Sequence, residues 1–301
     1  MFPSFVTVVL WSFCVVCANR AVRLVGSAAA NLSRLALATV LLALWAYLFG
    51  KGLQGVGLLY FVLSGVVGFG FGDIAGYEAL PRIGSRLTIL LAQCLAAPFA
   101  ALVEWLWLGT TLSGAQMACG AAILAGVAIA VAPSDQFEID REHLWAGVGF
   151  GVLACFGQGG GAVLSRKAYQ LVESAGQTID GGTAAFQRII GGLGLVFVFF
   201  VLVELRGRRS ANNVESNNKR PWERAWPWIV AHTLTGPVIG VSCYQWALAT
   251  TPSGVVLPII ATTPLAVIPF AYFIEHDRPR RRSLVGGVIA VAGGVALTLV
   301  K

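Results

Sequence analysis

Two arginines lie inside stretches of the chain that are otherwise apolar. Arg34 follows Ala28-Ala-Ala-Asn-Leu-Ser, and Arg188 follows Thr183-Ala-Ala-Phe-Gln. A guanidinium within hydrocarbon costs several kcal/mol unless it faces a partner or a water-filled cavity. One hypothesis is that both arginines line a cavity and attract a carboxylate or another anionic group of a substrate. The alternative is structural: each lies within about two turns of a helix start, where it can cap carbonyls or reach a headgroup by snorkelling.

Further polar residues fall in the predicted membrane segments. Asp73 comes at the predicted end of the third segment, where an acid can be a proton site, an arginine partner or an interfacial carboxylate. Trp11 and Ser12 lie in the middle of the first segment, so the tryptophan either walls a cavity or packs against a neighbouring helix. The other candidates are uncharged hydrogen-bonding residues that either bind polar groups of a substrate or join helices: Tyr77, Gln93, Gln158, Gln187, Tyr244 and Gln245.

The composition places the chain in a membrane. Hydrophobic residues make up 57% and charged residues only 12% of the 301 residues, and the mean hydropathy is +0.77. Soluble domains carry about 25% charged residues. A membrane-spanning helix needs about 20 apolar residues, so the chain has room for roughly ten of them.

Apolar runs bounded by charged residues, glycine or proline predict ten transmembrane helices. They cover residues 4–18, 28–49, 55–75, 86–108, 113–132, 144–165, 179–204, 226–248, 253–274 and 283–300. Prolines are expected to kink the fourth and ninth of them, at Pro98, Pro258 and Pro264. Glu104, in the fourth, faces either a cavity or the interfacial aromatic belt.

The polar segment 133–143 divides these helices five and five. We therefore predict an all-α integral membrane protein with a first repeat at 1–132, a linker at 133–143 and a second repeat at 144–301. The pattern from Tyr77 to Ser85 recurs from Tyr244 to Ser253, and Pro98 recurs as Pro264. Because five is odd, the second copy enters the membrane from the opposite side. This is the inverted-repeat plan of secondary transporters, with the substrate site near the middle of the membrane.

Orientation stays open at this stage. Fifteen lysines and arginines lie in the connections after the odd-numbered predicted helices, against four on the other side. The positive-inside rule then places both termini outside the cell.

Several short patterns together resemble the EamA family of the drug/metabolite transporter superfamily, over nearly the whole chain. They are Asn31-Leu-Ser-Arg34-Leu, Ala79-Leu-Pro-Arg-Ile-Gly-Ser85, the run from Ala97 to Gly109, and the glycine pattern from Gly120 to Val127. The resemblance implies two inverted five-helix repeats, alternating access, and export or exchange of small metabolites such as amino acids without ATP hydrolysis. It also implies that both termini lie in the cytoplasm. This contradicts the orientation that the count of lysines and arginines predicts. Leu108-Gly109-Thr110 departs from the family's Leu-Gly-Glu, so the resemblance assigns no acid there.

Other classes of function find little support. Cys14-Val-Val-Cys17 lacks the charged surroundings that activate a thiol or complete a metal site. Gly157-Gln-Gly-Gly-Gly161 lies in a predicted membrane helix and follows no strand, so it indicates helix packing rather than a nucleotide loop. The histidines are widely separated, and no nucleophile, base and orienting group can be assembled. We expect no enzymatic activity, cofactor, metal or nucleic-acid partner.

The sequence thus predicts a transporter of small polar metabolites in the cell (inner) membrane, as a monomer or homodimer in contact with lipid. Its driving force is the substrate gradient or a proton, with Asp73 as the candidate relay. Two alternatives stay open: an intramembrane enzyme, and a non-transporting scaffold or sensor whose cavity is filled by apolar side chains.

Overall fold

The computed structural model describes residues 2–96, 98–99, 102–103, 106, 113–131, 141–211, 221–250, 256, 259–276 and 281–300. These residues form helices and connecting turns, with no strand among them. In lipid every backbone N–H and C=O must be paired within the protein, and a helix satisfies its own. Glu104 and Pro258 lie outside the described residues.

The α-helices of the first half are α1 (Phe2–Val25), α2 (Ser27–Leu48), α3 (Leu58–Gly65), α4 (Asp73–Cys94) and α5 (Gly114–Val131). Those of the second half are α6 (Arg141–Ser174), α7 (Gly181–Ala211), α8 (Trp222–Thr233), α9 (Ile239–Thr250), α10 (Thr263–Phe270) and α11 (Arg281–Leu299). π-helical turns join α3 to α4 (Val66–Gly72) and α8 to α9 (Leu234–Val238), and a third extends α10 (Ala271–Glu275).

The third predicted helix is longer than its sequence pattern indicated. The helical path runs from Leu58 through the π turn and continues to Gly84, whose φ of 75° and ψ of 171° break α4. The predicted end at residue 75 was wrong because Glu78 and Arg82 pair with each other, Oε2 to Nη1 at 2.8 Å, so these charges do not stop the helix. Asp73 accordingly lies within the helical path and not at its end.

The ninth predicted helix is interrupted directly before Pro264. A turn at Ala261 and Thr262 precedes α10, and Pro264 occupies the first turn of that helix. A proline there removes no helical hydrogen bond, because the first N–H groups of a helix have no partner within it.

Among the described residues, five helical segments are long and apolar enough to cross a membrane: Phe2–Val25, Ser27–Leu48, Leu58–Cys94, Arg141–Ser174 and Gly181–Leu205. Met117–Val127 and Thr263–Glu275 are shorter apolar helices. A total of ten transmembrane helices stays a prediction.

The helices pack in pairs that link the two halves. α2 packs on α7 and α5 packs on α11, while α1 contacts α8, α9 and α10 as α6 contacts α3 and α4. At the α5–α11 contact, Gly126 lies against the backbone of Gly286 and Ala290, and Gly286 lies against that of Gly126 and Ala130. This exchange of equivalent contacts is what a two-fold relation between two repeats produces.

Candidate functional site

A cavity of about 150 Å³ lies between the two halves. It is lined by residues of α1, α2, α4, α6, α7 and α9 and of the first two π turns. None of the described lining residues comes from α10. Eight of the eleven residues that the sequence marked as candidates line this cavity: Trp11, Arg34, Asp73, Tyr77, Gln93, Gln158, Arg188 and Tyr244.

Arg34 has its ion-pair and hydrogen-bond partners within the first half of the chain, although its Nε has no partner among the described residues. Its guanidinium forms an ion pair with Asp73, and Nη2 donates to Asn31 Oδ1 at 3.0 Å. The guanidinium carbon lies 5.1 Å from the centroid of the Tyr77 ring. The residue is only 6% exposed, so it faces the protein interior rather than a headgroup.

Arg188 occupies the matching place in the second half but has no such partner. Like Arg34, it is the eighth residue of its helix and is almost fully buried, at 5% exposure. Among the described residues it makes no hydrogen bond and no ion pair, and its contacts include the Phe69 ring, whose centroid lies 5.3 Å from the guanidinium carbon. Its Nη2 lies against the backbones of Gly68 and Gly161. Within the part of the chain that the structure describes, the Arg188 guanidinium therefore lines the cavity without a partner.

Phe69 links the two arginines. Its ring centroid is 5.9 Å from the guanidinium carbon of Arg34 as well as 5.3 Å from that of Arg188. The negative face of an aromatic ring attracts a cation, so this ring stabilises two like charges near each other. Phe69 belongs to the first π turn, and single π turns inside helices are frequent at functional sites.

Glycines bring the surrounding helices close enough to form this arrangement. A Cβ at Gly65 would overlap the carbonyl oxygen of Arg188, and one at Gly157 would overlap the backbone of Gly72. Gly157 thus serves helix packing, as its position in a membrane helix predicted.

Aromatic rings and amides complete the cavity wall. Trp11 packs on Tyr244 with ring centroids 5.1 Å apart, so the tryptophan both walls the cavity and contacts a neighbouring helix. Gln158 Nε2 donates to Gln93 Oε1 at 3.4 Å, which joins α6 to α4 beside the cavity.

Three candidates lie outside the cavity lining. Ser12 Oγ donates to Val8 O at 2.6 Å and to Thr263 O at 3.3 Å. Gln187 Nε2 donates to the carbonyl oxygens of Gly52 and Gln54, both at 3.0 Å, and so holds the α2–α3 connection against α7. Gln245 is fully buried, and neither atom of its amide has a hydrogen-bond partner among the described residues.

All three residues lie outside the cavity lining for the same physical reason. Ser12, Gln187 and Gln245 are the chain neighbours of Trp11, Arg188 and Tyr244, which do line the cavity. Successive side chains point about 100° apart around an α-helix, so two adjacent residues do not face the same space.

His232 contacts the cavity wall and was missed from the sequence. It is fully buried, and its Nε2 lies 2.9 Å from the Tyr77 hydroxyl while Nδ1 lies 3.7 Å from Cys14 Sγ. Tyr77 and Cys14 both line the cavity. No local pattern in the sequence signalled this role, because the contact with Tyr77 depends on how distant helices pack. His232 lies two residues before the second π turn, and Ser64, which donates to Gly161 O at 2.6 Å, lies two residues before the first.

Glu275, the last residue of the third π turn, is hydrogen-bonded to two helices that also line the cavity. Its Oε1 accepts a hydrogen bond from Asn19 Nδ2 at 2.7 Å, and its Oε2 accepts one from Ser85 Oγ at 2.6 Å. Ala18 and Thr88, which line the cavity, belong to the same two helices. The carboxylate thus ties α1 and the part of α4 beyond Gly84 to the end of the third π turn.

The N-terminus of α7, the helix that carries Arg188, is capped by the side chain of Asp180. Asp180 Oδ1 accepts hydrogen bonds from the Thr183 amide and from Trp45 Nε1, both at 2.9 Å, and Oδ2 accepts one from the Thr183 hydroxyl. Partial burial raises the pKa of Asp180, but these hydrogen bonds outweigh it, so that its pKa lies below the ordinary value. The start of α2, at Gly26, has no side-chain cap.

The comparison with known proteins decides the family. A model described as "EamA-like transporter family" matches residues 2–132 and 145–299. The chain belongs to the EamA-like transporter family. EamA-like proteins are membrane transporters of the drug/metabolite type, so this chain is a multi-pass membrane transporter.

Solved structures share the fold. The chain matches 28 chains of solved structures. One of them, described only as "Crystal structure of protein", has a TM-score of 0.61 at 16% identity, over 99% of this chain and 96% of that one. No curated protein matches the chain.

Proposed function

We propose that this EamA-like protein exports or exchanges small polar metabolites, such as amino acids, across the cell (inner) membrane. The observation that carries the proposal is the unpaired Arg188 guanidinium on the cavity wall. Keeping a buried cation without a partner is costly, and an anionic group of a substrate would offset that cost.

Asp73, which also lines the cavity, suits an ammonium group. Asp73 lines the cavity with its side chain 27% exposed, although Arg34 engages Oδ2. A carboxylate at Arg188 and an ammonium at Asp73 would together satisfy both residues. The cavity volume of about 150 Å³ leaves room for several water molecules, which fits a small zwitterion.

The transport step we propose is rocking of the two repeats, 1–132 and 144–301, about the cavity, with the segment 133–143 as linker. Opening toward one side breaks the hydrogen bonds that Glu275 accepts from Asn19 and Ser85. Either the substrate gradient or a proton drives the cycle. In the second case Asp73 is the proposed proton relay, because it is the acid that faces the bound substrate.

An efflux comparison tests the proposal. Cells that produce the protein, its Arg188→Gln variant or no protein are loaded with amino acids, and release is measured for each. We expect faster release of at least one amino acid with the native protein and loss of that release with Arg188→Gln. Arg224→Gln, at an exposed arginine of α8, is the matched control and should release normally. Unchanged release across the panel despite confirmed membrane insertion would favour the scaffold or sensor alternative.

A further inference from the structure

Three polar groups on three different helices of the second half lack hydrogen-bond partners. They are Arg188 Nε on α7, the Tyr169 hydroxyl on α6 and the Tyr244 hydroxyl on α9, and none has a partner among the described residues. The three residues are 5%, 9% and 2% exposed. Burying a polar group without a hydrogen bond is unfavourable, because the lost hydration is not replaced.

Ring packing fixes the position of both tyrosines. Tyr169 meets Phe61 edge to face with centroids 5.0 Å apart, and Tyr244 packs on Trp11 at 5.1 Å. Both tyrosines belong to one buried apolar cluster with Ala184, which lies one turn before Arg188 on α7. Arg188 Nη2 lies beside Gly161, about two turns before Tyr169 on α6. Of the two tyrosines, Tyr244 is among the described residues that line the cavity with Arg188, and Tyr169 is not.

The chemistry of this set selects an anion. A guanidinium only donates hydrogen bonds, and a tyrosine hydroxyl can donate one. An ionised carboxylate only accepts, with about four lone-pair sites on its two oxygens, so it can accept from all three groups. An ammonium group would instead face a like charge and too few acceptors.

We propose that Arg188, Tyr169 and Tyr244 form a carboxylate subsite in which a bound substrate joins α6, α7 and α9. The inference rests on the proposed function and adds to it the two tyrosines and the orientation of the substrate. The carboxylate points into the second half, and the remainder of the substrate lies toward Asp73.

Ligand-dependent melting of the purified full-length protein tests this subsite. The probes are the common amino acids and, for each one that stabilises the native protein, its carboxamide. Tyr169→Phe and Tyr244→Phe should each weaken binding of the amino acid about tenfold or more, because each removes a hydrogen bond to a charged group. Tyr272→Phe, at a 44% exposed tyrosine on the third π turn, is the matched control and should bind normally.

Two further readouts separate a binding role from a structural one. Without ligand, Tyr169→Phe and Tyr244→Phe should melt no lower than the native protein, because each removes a buried hydroxyl that has no partner. Their affinity for the carboxamide should change little. Native affinity for the amino acid in both variants, or an equal loss for amino acid and carboxamide, would overturn the subsite.

The failure of the proposed function would look different. If no probe stabilises the native protein and none is transported, both proposals fall. If the native protein binds a probe and Arg188→Gln abolishes binding while both tyrosine variants bind normally, the transporter proposal stands and the tyrosine subsite does not.

Discussion

Arg34 and Arg188 occupy the same position in two related helices, yet their surroundings differ. Arg34 is paired with Asp73 and bonded to Asn31, all within the first half. Arg188 lies opposite Phe69 without an ion pair among the described residues, and two unpartnered tyrosine hydroxyls belong to its half. The two repeats thus share the position of the cation but not the partner that it has in the first half.

This difference suggests a division of roles between the halves. A buried ion pair that is complete within the protein holds helices together, and breaking it leaves an uncompensated charge. A buried cation that is unpaired is available to a ligand. We infer that the first half supplies the fixed wall of the site and the second half supplies the group that binds the substrate anion.

The largest effect on stability is expected for Arg34→Gln. It leaves Asp73 partly buried and unpaired, which should lower the free energy of unfolding by about 3 kcal/mol. Adding Asp73→Asn should restore much of that loss, because the double variant contains no unpaired charge. Thermal melts of the two single variants and the double variant in one detergent give the coupling energy. Additive losses would mean that the ion pair does not stabilise the fold.

A smaller effect is expected for Phe69→Leu. This change removes the ring between both arginines at similar volume and should cost about 1 to 2 kcal/mol of stability. Phe71→Leu, at a 63% exposed residue of the same π turn, is the control. In an Arg188→Gln background the cost of Phe69→Leu should shrink, since one cation is gone. An undiminished cost there would show that the ring acts by packing alone.

The smallest effect concerns the start of α7. Asp180→Ala removes a cap that α2 lacks and should cost about 1 kcal/mol, whereas Asp180→Asn retains most of it. Because the folded pKa of Asp180 is lowered, its charge stabilises the protein above the unfolded pKa of about 3.9. That contribution is lost as pH falls through the folded pKa. Melting temperatures between about pH 3 and pH 6 check this, and an identical pH profile for Asp180→Ala would contradict it.

The sequence predicted the helices better than their ends. Apolar length sets where a chain crosses lipid, so most segments appeared near their predicted positions. The third predicted helix extends beyond its predicted end because Glu78 and Arg82 neutralise each other along one helix face. That pairing depends on helix geometry. The π turns at Val66–Gly72 and Leu234–Val238 carried no distinct signal, since their glycines and proline fit ordinary packing equally well.

The residue types of the site could be predicted from the sequence, but the contacts between those residues could not. The cost of charge in lipid singled out Arg34, Asp73 and Arg188, and all three line one cavity. Which arginine holds the acid depends on the packing of α2 against α4, which no local pattern encodes. His232 was missed for the same reason, because its contact with Tyr77 joins residues 155 positions apart in the chain.

The central claim is that Arg188, and not Arg34, binds the substrate anion. Equilibrium binding of one stabilising amino acid and its carboxamide, to the native protein and to Arg188→Gln and Arg34→Lys, tests it most directly. Arg188→Gln should lose about 100-fold in affinity for the amino acid and little for the carboxamide, as expected when one partner of a buried charge pair is removed. Arg34→Lys keeps a cation for Asp73 and should retain the preference for the carboxylate. A preference that survives in Arg188→Gln, or disappears in Arg34→Lys, would contradict the account.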